Sequence, residues 1–135
     1  MTSHIDVDVE FSFKGEIHAL SATIDLDAAM AGSDTLPDLH PLLARLNDID
    51  TYSYLYEVME SHEIGFSNAT GLAAEYLRDG VFDADAFVRR WREERQLAQL
   101  RPIARQHLNI DNLDHHPALQ QALLDAYAAG RKARP

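Results

Sequence analysis

The densest run of chemically able side chains is Asp111-Asn112-Leu113-Asp114-His115-His116-Pro117. Carboxylate oxygens and neutral imidazole nitrogens are natural ligands for divalent cations. Asp111, Asp114, His115 and His116 are therefore the metal-ligating candidates of this chain. Adjacent histidines point in different directions, however. The spacing matches neither a His-Glu-x-x-His helix, nor a calcium loop, nor the Glu-x-x-His pair of a di-iron bundle. A simpler use accounts for the same residues. Asp114 is expected to cap the final helix, with Pro117 in its first turn and Asp111 and Asn112 in turn bonds. Capping is preferred, no metal is favoured, and no cofactor is expected.

The catalytic candidates are His18, His62 and Glu63. His18 shares its strand face with Leu20, Ala22 and Ile24, and His62 falls in the apolar arc of Leu55 and Val58. Two inward imidazoles could act as a general base or hold a metal. The plainer reading is that each is a satisfied interior or interface histidine, with His62 close enough to a helix end to reach carbonyls. Glu57, Glu60 and Glu63 recur every three residues, as a solvated helix face also does.

Aromatic residues supply the ligand-binding candidates Tyr54, Tyr56 and Trp91. On a helix Tyr52 and Tyr56 pair at i, i+4 while Tyr54 points elsewhere, which makes Tyr54 an interface candidate. If residues 51–64 formed a strand instead, all three tyrosines would share one side. Arg89, Arg92 and Arg95 are the other interface candidates, from a segment carrying six arginines. Residues 1–88 hold 3 basic against 17 acidic side chains, a net −14, whereas residues 89–105 hold 6 against 2, a net +4. Trp91 is the segment's only aromatic, and no nucleic-acid motif matches. Those arginines are expected to pair with acidic surfaces, in the same chain or in a twin, rather than with nucleic acid.

These residues must be positioned by two kinds of element. Ile5, Val7, Val9, Phe11 and Phe13 alternate with polar residues, and so do His18, Leu20, Ala22, Ile24 and Leu26. Period two around Lys14-Gly15-Glu16 predicts an antiparallel hairpin over about 4–26. A linker is expected at 28–35, then a helical part over about 36–129. Within it, 65–71 reads as a turn cluster, 70–79 as a short helix stopped by Gly80, and Pro102 as the end or kink of a helix near Arg101. Gly130 is expected to close the last helix, leaving a flexible tail at 130–135. The predicted fold class is α+β, a single domain with the N-terminal hairpin followed by five or six α-helices packed on it.

The composition narrows the function classes. The chain has 135 residues, 46% hydrophobic, which is enough for a core. It has no cysteine, so disulfides, thiolate metal sites and cysteine nucleophiles are excluded. A net charge of −10 argues against nucleic-acid and anionic-membrane partners. The start shows no basic region followed by an apolar run, and no stretch reaches ~18 apolar residues. A cytoplasmic chain is expected. No nucleophile elbow, Walker loop or dinucleotide fingerprint is present. A two-stranded hairpin leaves both outer margins unpaired, and unpaired margins seek partners. The leading expectation is a non-catalytic protein acting through protein–protein contacts as a homodimer, with the hairpin or the arginine helix at the contact. The alternatives are a metal-dependent or histidine-based enzyme around His18 and His62, and a small-molecule binding domain.

Overall fold

The computed structural model describes residues 3–132. Strands β1 (His4–Phe13) and β2 (Glu16–Asp25) form the expected hairpin. Lys14 and Gly15 both take positive φ, 53° and 80°, which gives a two-residue turn the twist of the flanking strands. The register runs without a break from Phe13 opposite Glu16 to His4 opposite Asp25. Ile5, Val7, Val9, Phe11 and Ile24 are buried, so the period-two pattern does put one face into a core.

The hairpin is not left as a pair. Strand β3 (Gly65–Thr70) adds antiparallel to β1, and the sheet order is β2-β1-β3. This corrects the turn-cluster reading of 65–71. The segment has little alternation and Asn68 sits at φ 49°, so its strand state is imposed by pairing with β1 rather than by intrinsic preference. A register shift opposite His4 and Asp6 absorbs the misfit.

Helix α1 (Leu26–Met30) lies where a linker begins in the sequence reading; Asp25 caps it by accepting from the Ala28 N–H at 3.1 Å. Helix α2 (Leu39–Leu46) follows, then α3 (Tyr54–Glu60), which is shorter than 51–64 because Ser53 starts it, accepting from the Tyr56 N–H at 3.2 Å. These helices pack on the sheet's apolar face and bury Leu26, Met30, Leu43, Ala44, Tyr56 and Met59. The expected helix at 70–79 is a 3-10 helix, Gly71–Tyr76, followed by the small hairpin of β4 (Leu77–Arg78) and β5 (Val81–Phe82). Gly80 is thus a turn residue at φ 77°, not a helix stop. The helical part therefore contains three strands.

Helix α4 (Ala84–Leu108) passes through Pro102 without ending. A second 3-10 turn, Leu113–His115, leads to α5 (Pro117–Lys132), which runs through Gly130. Gly130 therefore does not close the helix; of the expected tail, residues 133–135 lie outside the described residues. The fold class is α+β, an antiparallel N-terminal sheet plus helices.

The chain divides into two compact units, Met1–Val88 and Arg89–Pro135. In the first, Phe66, Phe82 and Phe87 form a ring series with centroids 5.5 Å apart at each step. In the second, Leu97, Leu100, Ala104, Leu113 and Leu124 form a core, flanked by Ile110, Leu119, Leu123 and Tyr127. Among the described residues, no helix is long and apolar enough to cross a membrane.

Candidate functional site

The outer margin of β2 is an edge of the sheet. In an antiparallel ladder closed by a two-residue turn, the closing pair exchanges hydrogen bonds, and bonded pairs then alternate. From Phe13 opposite Glu16, that alternation places Ile17, Ala19, Ser21 and Thr23 in non-bonded pairs with β1. Their N–H and C=O groups face away from β1. The Ser21 carbonyl is met from outside by Asn47, whose Nδ2 donates at 3.2 Å. The rest of that margin carries no lysine, proline or bulge, the devices that usually discourage a foreign strand. Ile17 is 74% exposed at its start. β1, by contrast, gains β3 alongside His4–Asp8, so the margin expected to be open on β1 is covered over that half and the sheet's edge strands are β2 and β3.

The sheet's outer face is acidic. Asp6, Asp8 and Glu10 project from β1, opposite Thr23, Ser21 and Ala19 of β2. Asp6 is held on both sides: Thr23 Oγ1 donates to Oδ1 at 2.6 Å and Asn68 Nδ2 donates to Oδ2 at 3.0 Å. Those bonds favour the ionised form and hold the Asp6 carboxyl below its ordinary value. Gly65 faces Asp8 so closely that a Cβ there would lie 2.7 Å from Oδ1.

The structure does bring His18 and His62 together, on the Phe11 ring. His18 stacks on Phe11 with centroids 5.3 Å apart, and His62 lies 5.9 Å away, tilted. Yet His62 is exposed, in the turn after α3, and not in the interior as its wheel position implies. The helix stops at Glu60, so the apolar arc ends before His62. Its Nδ1 donates to the Val58 carbonyl at 2.9 Å, and His40 Nε2 donates to the His62 carbonyl at 2.7 Å. These are helix-end bonds, as the plainer reading has it. Glu63 is exposed beside them.

The tyrosines diverge. Tyr54 is 78% exposed and Tyr52 is 96% exposed, whereas Tyr56 is buried. Tyr56 Oη donates to Glu60 at 2.8 Å. Burial together with that carboxylate pushes the phenol up to about 12. Trp91 is half-buried, with the Arg95 guanidinium over its ring at 5.4 Å.

Along α4 the arginines find partners near at hand. Arg90 pairs with Glu93 at 2.7 Å and with Glu94, and Arg101 reaches the same Glu94 at 3.2 Å. Arg105 meets Asp111 at 3.4 Å. Arg89, Arg92 and Arg95 are exposed, with Arg92 and Arg95 also engaged. In the run around His115, Asn112 and not Asp114 is the cap: its Oδ1 accepts from the Asp114 N–H at 2.9 Å. Asp114 itself lies inside the 3-10 turn, three residues before α5 begins at Pro117. Asp111, Asp114, His115 and His116 are all exposed, and among the described residues no three His, Asp or Glu side chains come together as a metal site.

Sequence reasoning missed Asn47, Arg101 and Arg105. Arg101 and Arg105 sit one helical turn apart with Pro102 between them, a spacing visible in the sequence but discounted by ending the helix at the proline. The chain is an α+β protein with β2 at one edge of its sheet and an acidic outer face. Compared with protein-family models, curated proteins and solved structures, it shows no significant match.

Proposed function

We propose that this chain acts in the cytoplasm through protein–protein contacts, without catalysis, and that it self-associates as a homodimer through the free margin of β2. The observation that carries this reading is the ten-residue edge strand β2, which holds no lysine, proline or bulge and whose Ser21 carbonyl is taken by Asn47. Two copies related by a two-fold axis can pair β2 with β2 antiparallel, extending the sheet across the axis and satisfying the outward groups of Ile17, Ala19 and Thr23. Exposed Ile17 then gains an apolar neighbour. Asn47 on Ser21 limits the register, since that carbonyl is already used.

Analytical ultracentrifugation of the wild type and of Ala19→Pro tests it. The Ala19 N–H faces outward, so proline there deletes an edge donor and leaves the hairpin ladder whole. The expected outcome is a dimeric wild type at low micromolar concentration and a monomeric Ala19→Pro with unchanged circular dichroism. A monomeric wild type, or a variant that dimerises as well as the wild type, overturns the reading.

A further inference from the structure

The chain separates its charges along its length, and each sign ends on a regular element. Asp8 and Glu10 stand exposed on the outer face of β1, and neither side chain has a hydrogen-bond or ion-pair partner among the described residues. On α4, Ala98, Arg101, Pro102, Arg105 and Gln106 share one helix face and line an open groove of about 370 Å³, with Asp111 at its end. Ala98 and Pro102 give the groove an apolar floor beneath the guanidinium groups. Arg101 spends one terminal amine on Glu94, and Arg105 meets Asp111 through Nε, which leaves its two terminal amines open. The Arg105–Asp111 pair is exposed at both ends, 76% and 81%, so it holds the guanidinium weakly.

The two rows are similar in backbone spacing. Arginines four apart on a helix are offset by roughly 6 Å along the axis. Carboxylates two apart on a strand are offset by roughly 6.8 Å. We infer that the Arg101–Arg105 groove of α4 seats the Asp8–Glu10 carboxylate row of a second copy of this chain. In a two-fold dimer the contact occurs twice, once in each direction, and so closes without leading to a chain of copies. The inference rests on the self-association proposed above and names an electrostatic contact between the two copies.

Charge exchange tests it on the full chain. Asp8→Lys/Glu10→Lys and Arg101→Glu/Arg105→Glu each place like charges in both contacts of their own dimer. Each is expected to raise the dimer dissociation constant about tenfold or more in sedimentation at low salt. Mixed together they form a heterodimer in which both contacts are again opposite in sign, and association returns to near the wild-type strength. The neutral pair Asp8→Asn/Glu10→Gln and Arg101→Gln/Arg105→Gln serves if a reversed variant fails to fold; each neutral variant weakens association and reduces its salt dependence. Reversed variants that dimerise like the wild type, or weakened variants that do not rescue each other, overturn the inference while leaving the β2 margin in place. A monomeric wild type overturns both. An Ala19→Pro protein that stays dimeric until Arg101 and Arg105 are reversed overturns the β2 reading alone.

Discussion

The carboxylate of Asp6 takes one hydrogen bond from β2 and one from β3, so a single side chain ties all three strands on the outer face. Its lowered pKa has a definite sign in stability. The stabilisation is complete above the ordinary value of 3.8 and is lost as pH falls through the lower folded value. Urea unfolding of the wild type is expected to steepen its loss of stability below that point, while Asp6→Asn shows a shallower acid dependence from a lower starting stability. Equal acid slopes for the two proteins would remove the role given to Asp6. Tyr56 gives the opposite limb. Its phenol is held neutral up to about 12 against an ordinary 10.0, so its contribution is complete below 10.0 and lost as pH rises through the window to about 12. Tyr56→Phe is expected to flatten the alkaline fall in denaturation midpoint, and an unchanged alkaline limb would reject that assignment. At this scale the sequence was legible in part. His18 on the apolar strand face follows from local pattern, whereas the two partners of Asp6 lie 17 and 62 residues away and have no local signature.

Elements show where local rules yield. Pro102 lies exposed inside α4, and its missing N–H denies the Ala98 carbonyl its helical donor. The helix continues because Leu97, Leu100 and Ala104 on either side of it are buried against Leu113 and Leu124. Burial of that stripe outweighs the local cost. Pro102→Ala restores the donor and is expected to stabilise the protein by about 1–2 kcal/mol, somewhat less than the ~3 kcal/mol helix-interior penalty because the unfolded chain also gains freedom. Thermal unfolding checks it, and a lower midpoint would show that the proline is accommodated by more than packing. β3 is the converse case. A segment with glycine, serine and asparagine becomes a strand because the outward groups of β1 demand partners.

For the molecule as a whole, the open question is what meets the margin of β2, and proline placement separates the margin from the ladder. Leu20 opposes Val9 in a bonded pair, whereas Ala19 opposes Glu10 in a non-bonded one. Leu20→Pro is therefore expected to lower the unfolding midpoint sharply, while Ala19→Pro changes association and leaves the midpoint of the monomer nearly unaltered. Similar melting losses for the two would mean that the alternation is misassigned. The segregation of charge, −14 in residues 1–88 against +4 in 89–105, belongs to this scale as well. It biases which surfaces can approach one another and has little say in the fold.

Periodicity by itself determined the hairpin and the buried face of β1, since alternation over ten residues puts every second side chain on one side. Composition determined the absence of thiol chemistry. Only the tertiary structure decided that 65–70 is a strand, that α4 runs through its proline, and that His62 ends on the surface. Each of those outcomes depends on hydrogen-bond partners or apolar neighbours distant in sequence, whose free energy exceeds local backbone preference and leaves no trace in a short window.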